Sequence, residues 1–345
     1  MKTKIGINGL GRIGRMVVRS IFEENHSNLK IQHINNRADI ETACALLKRD
    51  SIHGKFNADI SIEKSYININ GNKIYYSQID KLEEINWKDN DVDFVLECTG
   101  KFNSKEKLIP HLSNGAKKVI VSAPCKNADK TIVFGVNEKE IKKEDKIISA
   151  ASCTTNCLAP VAYVLNENFV IEKGFMTTIH ALTSDQRILD NSHKDPRRAR
   201  SASQSIVPTS TGASKTIGEI IPSLKGKLEG VAMRVPTPNV SLAILKLSLN
   251  KSLSDKETAN EYFRQLAFHS IYKDQIDFTN SSEIVSSDLV GSRYACVIDS
   301  EATICDDKQI VIYAWYDNEL GYCVQLLRVI KSLAGIKYNR LPYFL

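Results

Sequence analysis

Ile5-Gly6-Ile7-Asn8-Gly9-Leu10-Gly11-Arg12-Ile13-Gly14 is the stretch that decides the fold. Lys4 to Asn8 reads as a short strand that runs straight into the glycines. A helical stretch follows, with Ile13, Met16, Val17, Ile21 and Phe22 on one face. Gly-x-Gly-x-x-Gly is weak alone and much stronger between a strand and a helix, where it marks a dinucleotide site. Gly9 permits the tight turn, Gly11 lets the backbone approach a pyrophosphate, and Gly14 allows close helix–strand packing. The phosphates then meet free amides at a helix N-terminus.

The next strand, Leu29 to Ile34, ends in Asn35-Asn36-Arg37-Ala38-Asp39. An acidic residue about 20 positions past the glycines normally bonds the adenosine ribose hydroxyls. Here Asn36 holds that place, with Arg37 beside it. A carboxylate would repel a 2′-phosphate, Asn tolerates it and Arg attracts it, so NADP joins NAD as a candidate cofactor. Asp39 reads as the cap of a helix from Ile40 to Leu47. Further on come a hairpin at Asn70-Gly71-Asn72, a buried strand from Val92 to Glu97, a helix from Ser104 to Leu112, and strands at Lys118–Ser122 and Ile132–Val133. Thr99, Gly100 and Ser122, at strand ends, are candidates for backbone contact with a cofactor.

A second signal lies at Ala150-Ala151-Ser152-Cys153-Thr154-Thr155-Asn156-Cys157. Lys146 to Ser149 reads as a short apolar strand. From Thr154 to Asn166 apolar residues recur at helical spacing, so Cys153 falls at a strand-to-helix junction with Ser152 as N-cap. First-turn amides and the helix dipole favour a thiolate by roughly 0.3–1 kcal/mol, less than one pKa unit. A second group is needed, and His180, ending the strand Gly174–Ile179, is the natural base. Cys153 and Cys157 at i, i+4 resemble half a metal site, but nothing at ligand spacing completes it, so no metal is expected.

Beyond this helix, strands at 174–183, 229–235, 240–250, 293–299 and 309–316 with fewer helices suggest an antiparallel sheet. Together the halves read as an α/β chain: a Rossmann-like cofactor domain plus an α+β catalytic domain with a mostly antiparallel sheet. Thr183 to Thr211 is long and aperiodic, with a basic run around Arg197-Arg198 that lacks the interleaved aromatics of a nucleic-acid surface. Arg198 is a candidate for an anion site. Pro208-Thr209-Ser210-Thr211-Gly212-Ala213 supplies small hydroxyl residues ahead of a helix, an anion-binding turn. Arg234 is a charge in an apolar strand, needing either an internal carboxylate or a substrate phosphate. Asn318, at the closing strand–helix junction, either caps the helix or fixes a nicotinamide carboxamide.

The chain has 345 residues, 42% of them hydrophobic and 25% charged, enough for two domains with substantial cores. A net charge of +6 suits an anionic small ligand as well as nucleic acid and decides neither. Eight scattered cysteines without a signal peptide read as reduced thiols of a cytoplasmic protein, and no apolar run reaches membrane-span length.

With these residues in hand, the chain closely resembles the phosphorylating glyceraldehyde-3-phosphate dehydrogenase family. The likeness runs from Ile5–Arg15 to Trp315-Tyr316-Asp317-Asn318-Glu319 and centres on Ala151–Cys157. It implies a homotetramer of two-domain subunits: residues 1–152 bind the dinucleotide, joined by the C-terminal helix 319–345, and 153–318 form the catalytic domain. It implies oxidation of glyceraldehyde 3-phosphate with NAD(P) and inorganic phosphate, with Cys153 as nucleophile and His180 as base. Thr183 and Arg234 would hold the substrate phosphate. Ser152, Thr154, Thr211 and Gly212 would serve the attacking phosphate, with Arg198 assisting one of these sites. Asn8, Gly9, Gly11, Arg12, Ile13, Asn36, Arg37, Thr99, Gly100, Ser122, Asn318 and Tyr322 would line the cofactor.

Three positions depart from the family pattern. Asn36 replaces an acidic residue, Asn191-Ser192 replaces Leu-Pro, and Leu320 replaces a Trp. The first two lean toward NADP, accepted and open as the preferred cofactor. Erythrose-4-phosphate dehydrogenase is the nearest alternative, but its relatives lose the Ser210-Thr211-Gly212-Ala213 turn kept here. An added RNA-binding or adhesion role is compatible with the charge, and nothing in the sequence favours it.

Overall fold

The computed structural model describes residues 2–24 and 26–336. The sequence's apolar tail with Tyr338, Tyr343 and Phe344 lies outside them. Backbone proximity divides the chain into two units. Of the described residues, the first takes those up to Ile132, then Glu138–Ser152 and 326–336; the second takes Val133–Asn137 and Cys153–Gln325.

The first unit is built on β1 (Thr3–Asn8), β2 (Leu29–Asn35), β3 (Ile60–Glu63), β4 (Tyr66–Ile69), β5 (Asn72–Ser77), β6 (Phe94–Glu97), β7 (Lys118–Val121), β8 (Lys130–Thr131) and β9 (Ile147–Ser149). Their order in the sheet is β8-β9-β7-β6-β1-β2-β5-β4-β3, parallel except for the meander β3-β4-β5. Helices α1 (Arg12–Glu23), α2 (Ile40–Lys48) and α3 (Lys105–Ser113) form its crossovers. The strand order reverses at β1, which pairs with β2 on one side and β6 on the other. A crevice opens at such a reversal, beyond the carboxyl ends of the strands. The β4–β5 turn carries Asn70 and Gly71 at φ +48 and +79, the two left-handed residues that a tight hairpin turn requires. Asp39 caps α2 by accepting from Thr42 N at 2.6 Å.

The second unit begins with α4 (Cys153–Phe169). It adds β10 (Ile171–His180), β11 (Val207–Ser210), α5 (Ala213–Ile220), β12 (Leu228–Arg234), β13 (Ser241–Leu249), α6 (Lys256–His269), β14 (Ile276–Thr279), β15 (Cys296–Asp306), β16 (Gln309–Tyr316) and the start of α7 (Leu320–Leu333). Its sheet runs β11-β12-β10-β13-β16-β15-β14. Four pairings are antiparallel, while β10–β12 and β14–β15 are parallel. Strand β11 emerges from the segment that reads as aperiodic in sequence, and the strand expected at Ile132–Val133 sits two residues earlier, at Lys130–Thr131.

Candidate functional site

In the first unit, a groove is lined by Asn8, Gly9, Gly11, Asn35, Asn36, Arg37, Ile79, Asp80, Leu82, Cys98, Thr99, Lys101 and Phe102. The glycine at each motif position has a physical cause. Gly9 sits at φ +96, and a Cβ there would lie 2.9 Å from Thr99. A Cβ on Gly14 would stand 2.0 Å from the Gly9 carbonyl oxygen. At Gly11 the nearest neighbour of a Cβ is 3.9 Å away, and Gly11 caps α1 with no side chain, so bulk is absent where a pyrophosphate would approach. The residues therefore fit a dinucleotide.

A buried polar network fixes this groove. Glu97 accepts from Asn8 Nδ2 at 2.7 Å and from Thr99 N at 2.8 Å. Asn8 in turn accepts from Asn35 Nδ2 at 2.9 Å. The Trp87 indole donates to His111 Nδ1 at 2.9 Å, which leaves the His111 proton on Nε2, 3.2 Å from Glu97. Asn36 Oδ1 accepts from Leu10 N at 3.1 Å and its Nδ2 donates to the Tyr76 hydroxyl. The residue in the ribose-reading place thus grips the glycine loop and brings no charge.

Four of the cofactor residues expected in the first unit do not line this groove. Arg12 is held by Asp50, with Nη2 2.9 Å from Oδ1. Ile13 packs in the first turn of α1, Gly100 is exposed at φ +70, and Ser122 donates to the Glu97 carbonyl. Asp80, Lys101 and Phe102 line it without a sequence signal, because loops after β5 and β6 carry them there.

In the second unit, Cys153 is the first residue of α4 and His180 the last of β10. The Cys153 sulfur lies 3.4 Å from His180 Nε2. Burial, and then the Arg234 guanidinium, push His180 down to about 3. Burial pushes the Cys153 thiol up, against the pull of the Arg234 charge. Burial thus works against the charged form of both groups and opposes the thiolate that a helix start favours.

Arg234 is the cation of this site. Its Nη1 lies 2.5 Å from His180 Nδ1 and 3.3 Å from the Ala181 carbonyl, and its buried Nε has no hydrogen-bond partner. Among the described residues no carboxylate pairs with it, in contrast to the internal salt bridge considered from sequence. Arg198, by contrast, is bound by Asp185 at 2.6 Å and Thr209 at 3.0 Å. The two arginines are close enough for each charge to oppose the other, as Arg198 helps to lower Arg234 after burial does.

The hydroxyl residues are partly committed. Thr154 Oγ1 and Thr178 Oγ1 each lie 2.8 Å from the buried Tyr316 hydroxyl. Thr211 accepts from Ala213 N, Gly212 caps α5, and Thr183 N donates to Gln186. Ser152 directly precedes α4. Ser241 Oγ accepts from Ala181 N and donates to Asn318 Oδ1, both at 3.0 Å, so the Asn318 amide keeps its NH2 for another acceptor. Asp317, not Asn318, caps α7, accepting from Glu319 N and Leu320 N. Tyr322 is buried in α7. Sequence reasoning gave no role to Tyr316 or Thr178. Thr178 stands two residues before His180 on one strand, a spacing that puts both on one face.

Comparison with known proteins agrees with both halves. The NAD binding domain of glyceraldehyde 3-phosphate dehydrogenase matches residues 3–105, and the C-terminal domain of the same enzyme matches residues 152–318. Glyceraldehyde-3-phosphate dehydrogenase 2 of Bacillus subtilis is 44% identical over 337 residues, 97% of this chain and 98% of the relative. The chain belongs to the glyceraldehyde-3-phosphate dehydrogenase family. The enzyme of Geobacillus stearothermophilus is 45% identical over 97% of this chain and 99% of its own. A glyceraldehyde-3-phosphate dehydrogenase-like protein of Pseudomonas aeruginosa is 43% identical over 99% of this chain and 76% of its own length. The family's dinucleotide is NAD, by the description of its N-terminal domain. Among the described residues no helix is long and apolar enough to cross a membrane, and no cluster of His, Cys, Asp or Glu could hold a metal ion.

Proposed function

We propose that this protein oxidises glyceraldehyde 3-phosphate with NAD(P) to a thioester on Cys153, which inorganic phosphate cleaves to 1,3-bisphosphoglycerate. The observation that carries this is the 3.4 Å approach of Cys153 to His180 beside a half-buried Arg234 that, among the described residues, has no carboxylate partner. Cys153 attacks the aldehyde carbon as His180 Nε2 takes the thiol proton. The oxyanion is held by the Cys153 amide at the α4 start and by His180. When bound, the dinucleotide supplies the hydride acceptor that turns this adduct into a thioester. Arg234, with Thr183, binds the substrate phosphate; a guanidinium with no carboxylate partner among the described residues, and with its Nε unbonded, is suited to that bidentate contact. Ser152, Thr154, Thr211 and Gly212, assisted by Arg198, receive the inorganic phosphate that cleaves the thioester. Asn318 orients the nicotinamide amide through its free NH2, with Tyr322 behind it.

Asn8, Gly9, Gly11, Asn36, Arg37 and Thr99, which line the groove, hold the dinucleotide, and Arg12, Ile13, Gly100 and Ser122 shape the segments beside it. NADP is accepted beside NAD, since Asn36 brings no charge and Ser192 is the second departure in that direction. We assign residues 1–152 and the C-terminal helix 319–345 to dinucleotide binding and 153–318 to catalysis. The protein acts as a cytoplasmic homotetramer. Exposed Phe175, Val231 and Met233 on β10 and β12, with Ile188, Leu189 and Ile206, support an apolar face covered by another copy.

Steady-state oxidation of glyceraldehyde 3-phosphate with each cofactor, with and without inorganic phosphate, tests the reading. Turnover that needs phosphate supports it. Turnover indifferent to phosphate would point instead to hydrolysis of the acyl-enzyme, as in erythrose-4-phosphate dehydrogenase.

A further inference from the structure

At one end of the dinucleotide groove, Arg37 Nε lies 2.8 Å from Asp80 Oδ1. Both side chains line the groove with Gly9, Gly11 and Asn36, and both are largely exposed, at 69% and 72%. Asn36 is spent on Leu10 N and Tyr76. Arg37 is then the cation that stands directly after the ribose-reading position, and it already has a carboxylate partner. Lys101 lines the same groove, on the loop after β6.

We propose that Asp80 is a specificity-determining residue, which disfavours a dinucleotide carrying a 2′-phosphate by keeping Arg37 paired. This rests on the reading that the adenosine ribose lies at Asn36 and Arg37. A ribose with a free 2′-hydroxyl leaves the Arg37–Asp80 pair intact. A 2′-phosphate must take Arg37 from Asp80 and then lie near the carboxylate it displaced. The same position-37 guanidinium that favours NADP is therefore restrained by a residue 43 positions later, on the turn after β5. Removing the carboxylate alone should shift the protein toward NADP without touching Asn36 or the glycines.

Binding of adenosine 2′,5′-bisphosphate and adenosine 5′-monophosphate is to be measured by calorimetry in the wild type, Asp80→Asn, Arg37→Leu and the double variant, at low and high salt. These ligands carry the recognition groups without any turnover. Asp80→Asn should tighten the bisphosphate about two- to fivefold, the scale of one exposed charge pair, and change the monophosphate by a smaller factor. The gain should shrink at high salt and vanish in the Arg37→Leu background. The ratio of kcat/KM for NADP over NAD should rise by the same factor. Unchanged or weaker bisphosphate binding in Asp80→Asn, with Arg37→Leu still costing affinity, overturns the role of Asp80 and leaves the ribose placement standing. Bisphosphate binding indifferent to both substitutions overturns the placement and the proposal together.

Discussion

Arg234 reaches His180 at Nδ1, 2.5 Å away, while the Cys153 sulfur meets the same ring at Nε2, 3.4 Å away. A guanidinium only donates, so an Arg234 N–H on Nδ1 requires the lone pair there and leaves the ring proton on Nε2. His180 Nδ1 also lies 2.8 Å from the Ala181 carbonyl, which can only accept. When Arg234 turns to a phosphate, Nδ1 can hold its proton against Ala181 and present Nε2 as a base.

Arg234→Leu should therefore act twice. Loss of a charge-assisted contact worth roughly 1.5–3 kcal/mol should raise KM for the phosphorylated aldehyde about 10- to 150-fold. The acid limb of kcat/KM should also move to higher pH. Burial and the Arg234 charge both disfavour the imidazolium, so removing the charge raises the His180 pKa from about 3 while burial still holds it below the ordinary value. A pH profile of the variant checks this; an unmoved limb would show that Arg234 does not govern the base.

Asn36→Asp restores a carboxylate that can still accept from Leu10 N. It should lower kcat/KM for NADP by about tenfold or more, because two like charges then share the ribose end, where such juxtapositions cost several kcal/mol when desolvated. NAD should be used as well as before or better. Parallel steady-state assays with the two cofactors decide it.

His33 gives the first unit a pH-dependent stability. It is buried against Trp87 and Tyr75, with Nε2 2.7 Å from Ser77 Oγ, and burial pushes it down to about 4. The folded value lies below the unfolded 6.5, so the unfolded chain binds the proton first. Stability should be full above about pH 6.5 and fall as pH drops toward 4, by roughly 3 kcal/mol from this group. Urea midpoints across that window should slope less in His33→Gln than in the wild type.

Tyr316→Phe removes the hydroxyl shared by Thr154 and Thr178. Two buried hydroxyls then lose a partner, which should cost about 1–3 kcal/mol and lower Tm by several degrees. Thr154 is also released, so KM for inorganic phosphate should change more than KM for the aldehyde. Equal changes in both would place Thr154 outside the phosphate site.

The features legible in sequence are those fixed by neighbours in the chain. Gly9 takes its positive φ in a local turn, Gly14 packs on the Gly9 carbonyl, Asp39 caps the helix it precedes, and Asn70-Gly71 is its own turn. Cys153 announces itself as the start of a helix. What stayed hidden depends on distant partners. The partner of Arg12 is Asp50, 38 positions later and just past α2, which no local pattern shows. Asp80 and Tyr316 gain meaning only when β5 and β16 carry them beside Arg37 and Thr154. Likewise β11 has only four residues in a polar segment, and its strand character comes from pairing with β12. The burial that raises the Cys153 thiol comes from the whole fold, which no local pattern records.

The central claim is a covalent one, and the most direct measurement is the mass of the enzyme after mixing with glyceraldehyde 3-phosphate and NAD in the absence of inorganic phosphate, followed by an acid quench and peptide mapping. The account expects one acyl group, on Cys153, discharged by added phosphate and formed about 10²- to 10⁴-fold more slowly in His180→Asn. An acyl group on another residue, or phosphate-dependent turnover in Cys153→Ala, would contradict it.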